Sequence, residues 1–235
     1  MIYAIPHGET KRQPPTPGAS GSCPFCGSGV IAKCGRVNAW HWAHECREDC
    51  DPWHDGETEW HRRWKRRFPK ESTEKTLVWG DVRHIADLWL PNSIVVEFQH
   101  SPLTVEEIRE REAFYGRMVW IFDVSDCRER FHFRRRDGYV TFRWKHPRKH
   151  IAFCRRVVYL DFGLRRLFRL MKVSEETPCG GWGRGVDVNS WVRDAAHGWL
   201  TFPEYGNPIQ FTNPRPPGAS RTNPSTKREG RGFLR

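Results

Sequence analysis

RHIADLWLPNSIVVEFQ, residues 83–99, consists of two apolar, strand-forming runs interrupted by Pro91-Asn92-Ser93. Bulky and β-branched residues favour strands, and Pro, Asn and Ser are turn residues, so the stretch predicts a hairpin with those three residues as its loop. Leu90 then pairs with Ile94, and counting outward brings Asp87 opposite Glu97. Directly opposed residues share a sheet face, with Cβ atoms about 5 Å apart. The two-residue period puts Gln99 on the same face as Glu97 and gives Ile94, Val96 and Phe98 to the core face. Two carboxylates this close either shift a pKa or hold a cation between them. Oxygen ligands suit Mg²⁺ or Mn²⁺, which activates water and stabilises charge on phosphate. An ordinary ion-pair network is the plain alternative. What separates this pair from that alternative is that Glu97 is flanked by apolar residues in VVEFQ.

Upstream, GETEWHRRWKRRF (56–68) predicts a helix from about Asp55 to Phe68. Glu57, His61 and Lys65 lie at i, i+4 and i+8, within roughly an 80° arc. Trp60, Trp64 and Phe68 fall in or beside that stripe, so the polar trio faces inward, where each group needs a partner. Glu57 would add a carboxylate to a metal, and Lys65 would contact a scissile phosphate or the attacking water; a solvent-edge ladder is the alternative. Arg62, Arg63, Arg66 and Arg67 are expected largely on the outer face, where they suit a phosphate backbone or plain solvent. Strands follow at about 75–80, 83–90 and 94–99. Thr104 and Glu107 form a T-x-x-E capping box opening a second helix, which Gly116 ends, before a strand at 118–122. The order is helix, three strands, helix, strand.

Downstream, 131–144 reads as a hairpin around Asp137-Gly138, and 151–173 as further strand-like runs, with HIAFCRRVVYLDF (150–162) among them, and a short helix. Residues 207–235, poor in apolar side chains and rich in Pro and Arg, read as a disordered basic tail. At the other end, the Pro/Gly/Ser-rich residues 8–22 read as a flexible lead-in. The chain thus divides into a lead-in (1–22), a Cys/His module (23–50), a core (51–125), a strand-rich extension (126–206) and the tail (207–235).

The chain has 8 cysteines in 235 residues, and five of them precede residue 51. Cys23-Pro-Phe-Cys26 followed by His41-Trp-Ala-His44 gives C-x2-C-x14-H-x2-H. It resembles a structural Zn²⁺ site that folds a segment too short for its own core. Cys34, Cys46 and Cys50 compete as ligands. Gly27, Gly29 and Gly35 permit the tight turns of a small ribbon. No run reaches the ~20 apolar residues of a membrane span, and MIYAIPHGETKRQ lacks an apolar leader; both predict a cytoplasmic protein that does not enter membranes. The net charge of +11 attracts polyanions, with DNA as the leading candidate partner.

Six blocks carry a family resemblance: CPFCGSGVIAKCG, HWAHE, ETEWHRRWK, HIADL, VVEFQHS and REAFY, in this order over about residues 23–125. In them the chain resembles the competence protein CoiA-like family, which is assigned to the PD-(D/E)XK nuclease superfamily. The resemblance implies an α/β fold (α+β mixed sheet): a restriction-endonuclease-like αβββαβ core with an N-terminal zinc-ribbon-like module and a β-rich C-terminal extension. It implies a metal-dependent DNA nuclease in which Asp87 and Glu97 hold Mg²⁺ or Mn²⁺, and Glu57, His61 and Lys65 belong to the site. Arg111 and Tyr115 resemble the Q-x3-Y element on the helix after the sheet, with Arg replacing Gln. Gln99 stands where most of the superfamily have Lys, as it does in the CoiA-like family, which leaves open whether Lys65 supplies the missing charge. The competing expectation is a non-catalytic, zinc-containing nucleic-acid-binding protein or DNA-processing adaptor.

Overall fold

The computed structural model describes residues 1–37, 39–46, 50–53, 57–174 and 178–202. The expected tail at 207–235 and the expected helix start at Asp55 lie outside the described residues. The chain divides into two compact units, Met1–Trp89 and Leu90–Arg235, so the division falls inside the expected 51–125 core.

In the first unit, β1 (Ile5–Pro6), β2 (Ser20–Ser22), β3 (Gly29–Lys33) and β4 (His41–His44) form an antiparallel sheet in that order. The expected flexible lead-in is therefore half of a sheet. Proline and glycine there make turns rather than slack: Ala4 and Gln13 exchange backbone hydrogen bonds, and the Arg12 guanidinium donates to the carbonyls of Lys70, Thr73 and Glu74. Ala4, Cys23, Phe25, Val30 and Trp42 make a small core under this sheet. A short helix, α1 (Glu59–Lys65), follows, with Thr58 as N-cap. Then β5 (Thr73–Trp79) and β6 (Val82–Trp89) pair antiparallel, Trp79 facing Val82 across Gly80-Asp81. Gly80 takes φ +58°, the left-handed conformation a two-residue hairpin turn requires.

The second unit opens on the predicted loop. Leu90 N–H donates to the Ile94 carbonyl at 3.0 Å, and Ser93 N–H to the Leu90 carbonyl at 2.9 Å. Ser93 sits at φ +60°, the left-handed third position common in three-residue hairpin loops. Next come β7 (Val95–Gln99), α2 (Val105–Tyr115) and β8 (Met118–Asp123). They are followed by β9 (Phe131–Arg135), β10 (Val140–Trp144), β11 (Val157–Asp161), β12 (Arg166–Val173), β13 (Gly180–Asp187) and α3 (Val188–Ala196). Their strands run in the order β7-β8-β11-β12-β13-β10-β9. β7, β8 and β11 are parallel and buried at every residue, as parallel strands are; the rest are antiparallel. A mixed sheet in an α+β protein is thus observed, and the chain order α1-β5-β6-β7-α2-β8 is the expected one.

The Thr104 capping box is present: Thr104 Oγ1 accepts from Glu107 N–H, and the Glu107 carboxylate accepts from Thr104 N–H at 2.7 Å. Thr104→Ala should cost about 1 kcal/mol, read as a small drop in the urea midpoint with an unchanged slope; an unchanged midpoint would show the cap to be idle.

One expectation fails, and one unforeseen strand appears. HIAFC is not strand: Lys149–Phe153 is a 3₁₀ turn. The Gly-rich GGWGRGVD, which carries little strand propensity, is β13. Packing explains its glycines, since a Cβ at Gly183 would strike the Phe168 ring and the Arg169 carbonyl, and one at Gly181 the Lys172 carbonyl. Among the described residues, no helix is long and apolar enough to cross a membrane.

Candidate functional site

Lys65 is the centre of the first unit's polar interior. Its ammonium lies 2.8 Å from Glu57, 2.8 Å from Asp87 Oδ1 and 3.4 Å from Glu74. α1 supplies the lysine, the segment before it Glu57, and the β5-β6 hairpin Glu74 and Asp87. Lys65, Glu57 and Glu74 side chains are 1%, 2% and 4% exposed, and that of Asp87 14%, so Asp87 is the member a ligand can reach. Burial alone would drive Lys65 neutral; the negative charge of Asp87, then Glu57 and Glu74, outweighs it and holds the ammonium well above its ordinary pKa. Burial pushes Glu74 up, against the pull of Lys65. The Glu74 carboxylate also accepts from the backbone N–H groups of Ile2 and Tyr3 at 2.9 and 3.2 Å, and its own backbone is left-handed, φ +47°, a conformation a non-glycine residue adopts at a cost. The ammonium of Met1 stands 3.7 Å from Glu57. Three carboxylates thus face two ammonium groups.

In the second unit, the side chains of Glu97 and Gln99 are both buried. Arg111, on the inward face of α2, donates from Nη1 to Gln99 Oε1 at 3.1 Å, and Gln99 Nε2 donates to the Ser101 carbonyl at 2.8 Å. The amide is therefore fixed at both ends, with a guanidinium attached.

A second cluster gathers Cys23, Cys26, His44 and Cys50, whose ligand atoms all lie within 4.8 Å of one another. The Cys23–Cys26 turn closes through Gly27 N–H donating to the Cys23 carbonyl, with Gly27 at φ +78°, and Phe25 N–H points at Cys23 Sγ. Burial raises the Cys23 thiol, and burial together with the charge of Cys23 raises Cys50 to about 12. For Cys26 burial acts upward, but hydrogen bonds from Ser28 outweigh it and hold the thiol below its ordinary value. Three thiols gathered beside one imidazole are a donor set that suits a cation. Three sulfurs and one nitrogen could hold a zinc ion.

This set corrects one expected ligand. His41 is not in the cluster; its Nδ1 lies 2.9 Å from the Ala39 carbonyl. H-x2-H falls on β4, where residues three apart face opposite sides, so His44 turns inward with Trp42 and His41 outward. Cys50, one of the competing thiols, takes the fourth place.

One other site residue differs from expectation. Arg62 is buried and donates to the Glu57 carbonyl at 3.0 Å, so it is no backbone-facing cation. His61 closes the α1 cap, its Nδ1 2.8 Å from Thr58 Oγ1. Arg111 and Tyr115 are buried, because α2 presents Ile108, Arg111, Glu112 and Tyr115 to the interior; neither is a surface contact. Arg66 is exposed as expected, though paired with Glu59.

Two residues went unread in the sequence. Glu74 would have been found by counting outward from a two-residue turn at Gly80-Asp81, which sets it across from Asp87. Asp51 has no sequence signal. Its carboxylate, fully buried, lies 2.9 Å from His84 Nδ1 and accepts from Ile85 N–H and Trp53 N–H, tying the residue after Cys50 to β6, the strand of Asp87.

Residues 20–52 match the family model described as competence protein CoiA, N-terminal domain. No curated protein and no solved structure matches the chain.

Proposed function

We propose that this chain, which matches the N-terminal domain of competence protein CoiA over residues 20–52, is a metal-dependent nuclease that hydrolyses DNA during uptake, processing or recombination. The observation that carries the reading is the capture of Asp87 by the buried Lys65 that Glu57 and Glu74 share. Burying so many charges brings little stability, because apolar replacements of similar volume often serve as well or better. Strongly perturbed charges beside an accessible carboxylate are a mark of functional sites.

Asp87 and Glu97 are the residues that would hold Mg²⁺ or Mn²⁺, and the surplus of carboxylate over ammonium around Lys65 suits such an ion. The ion would supply positive charge to the phosphate and acidity to a water. The chain's own groups do the rest. Lys65 fixes the Asp87 carboxylate through Oδ1. Glu57 and Glu74 keep Lys65 protonated, so it acts as a fixed charge and not as a base. Gln99, clamped between Arg111 and the Ser101 carbonyl, orients a water or a phosphate oxygen. Arg111 brings to Gln99 the positive charge that the superfamily's lysine would carry at that position, so the departure in sequence is compensated from α2. Exposed Arg66 would contact the DNA backbone on leaving Glu59, and buried Arg62 would not.

The test is cleavage of circular single-stranded DNA and supercoiled plasmid with Mg²⁺, with Mn²⁺ or with neither. Cutting that needs the ion and falls to background in both Asp87→Asn and Glu97→Gln is expected. DNA that is bound but never cut, equally by the parent and both variants, would replace this reading with that of a non-catalytic binding protein.

A further inference from the structure

The strands beyond residue 130 take no part in that site, yet one of their faces is chemically distinctive. Register assigns the faces. Phe133 pairs with Phe142 and Phe168 with Gly185, and Phe131, Phe133, Phe142 and Phe168 pack together on one side with ring centroids 5.2–6.0 Å apart. On the opposite side, Arg134 pairs with Thr141, Thr141 with Trp182, and Trp182 with Lys172. These four form one row across β9, β10, β13 and β12. Arg143 on one flank and Arg184 on the other share its face by the two-residue period.

Arg134, Arg143 and Arg184 are exposed and Trp182 is half-buried; among the described residues, none of the three arginines is ion-paired. β9, β10 and β12 contain no acid, and the one acid of β13, Asp187, caps α3. Tyr139 stands edge-on to Trp182 at 5.7 Å and braces its ring.

Stability does not explain this face. Arg184 lies directly across from Arg169, and like charges in that relation are destabilising. Charges on an edge strand discourage sheet-to-sheet pairing, which would account for Arg134 on β9 but not for Arg184 and Trp182 on β13, in the sheet's interior. Cations ranged around a braced indole are what a single strand of nucleic acid needs: guanidinium groups on its phosphates and an aromatic face under an unstacked base. A duplex keeps its bases stacked inside and would leave the indole without a partner.

We propose that this face of β9-β10-β13-β12 binds single-stranded nucleic acid, with Arg134, Arg143 and Arg184 on the backbone and Trp182 stacked on a base. The surface belongs to the second unit alone and goes beyond the nuclease reading, because binding is measured without cleavage.

The test is fluorescence anisotropy of a labelled oligothymidylate with the full chain in magnesium-free buffer, over a salt series. The variant Arg134→Gln/Arg143→Gln/Arg184→Gln is compared with Lys33→Gln/Arg36→Gln/Arg109→Gln, which loses the same charge from exposed positions elsewhere. Losing three phosphate contacts should lower the slope of log affinity against log salt by about 2 and weaken binding by roughly thirtyfold. Trp182→Leu should weaken binding about tenfold with the salt slope unchanged. Far-UV circular dichroism matching the parent qualifies each variant. Equal affinity and slope in the two triple variants would overturn the proposal. So would a duplex that binds as tightly as the single strand and is insensitive to Trp182→Leu.

Discussion

Replacing Lys65 by methionine is expected to destabilise the first unit by about 3–5 kcal/mol near neutral pH, the usual cost of removing one partner from a buried ion cluster. Methionine fills most of the volume, so the loss comes from charge and not from a cavity. It leaves Glu57, Glu74 and Asp87 facing one another with only the Met1 ammonium nearby. The pH dependence separates this cause from simple misfit. Lys65 has a raised pKa, so its contribution is complete below the ordinary value of 10.5 and is lost only as pH rises through the folded value. Glu74 is also raised; its contribution is complete below the ordinary value of 4.5 and is lost as pH rises through its elevated folded value. Without Lys65, Glu74 loses its main counter-charge and moves higher still. The variant's deficit should therefore be greatest at neutral pH and shrink at an acid pH, where a carboxylate with a raised pKa takes up its proton. Urea unfolding at the two pH values measures it. Lys65→Met/Glu74→Gln should recover part of the loss at neutral pH, because it removes one of the stranded charges. A deficit that is the same at both pH values, with no recovery in the double variant, would mean that Lys65 stabilises by packing and that Asp87 is not held electrostatically.

What the sequence disclosed follows from how local each signal is. Pro91-Asn92-Ser93 and the Thr104–Glu107 box are decided by a few neighbouring residues, and both are found as read. The inward placement of Lys65 followed from helical periodicity beside Trp60 and Trp64, since two tryptophans mark the buried stripe; Glu57, expected on the same helix, lies before its N-cap and meets Lys65 from that segment. Periodicity failed for Arg62, whose long stem reaches back to the Glu57 carbonyl, a choice made by the loop before the helix. Composition failed once in each unit. The Pro/Gly-rich start is ordered by Arg12 reaching carbonyls about sixty residues away, and β13 tolerates its glycines because Phe168 needs the space. Glu74 and Asp51 escaped notice for a related reason. Each is an isolated acid whose role depends on a partner distant in the chain, Lys65 for one and the His84–Ile85 segment for the other.

The fourth metal ligand is the second place where a single substitution should have a large effect. Cys50→Ala is expected to lose zinc from a protein purified with about one ion per chain, whereas His41→Ala is expected to keep it, as read by metal analysis after gel filtration. Losing a direct ligand should cost more than the about 10- to 100-fold in affinity that goes with an outer-sphere partner. The consequence should spread through the module, because the core beneath this sheet is small and structural zinc contributes about 10–16 kcal/mol of apparent free energy to finger-sized domains. It should also reach β6. Asp51 follows Cys50 directly, and its carboxylate holds Ile85 N–H at 2.6 Å, two residues before Asp87. Faster hydrogen exchange at the Ile85 amide in Cys50→Ala, with His41→Ala unchanged, is the expected signature of that link. Zinc kept by Cys50→Ala and lost by His41→Ala would return the site to a pair of histidines. For that, β4 would have to twist enough to turn residues three apart toward one ion, a geometry a regular strand does not provide.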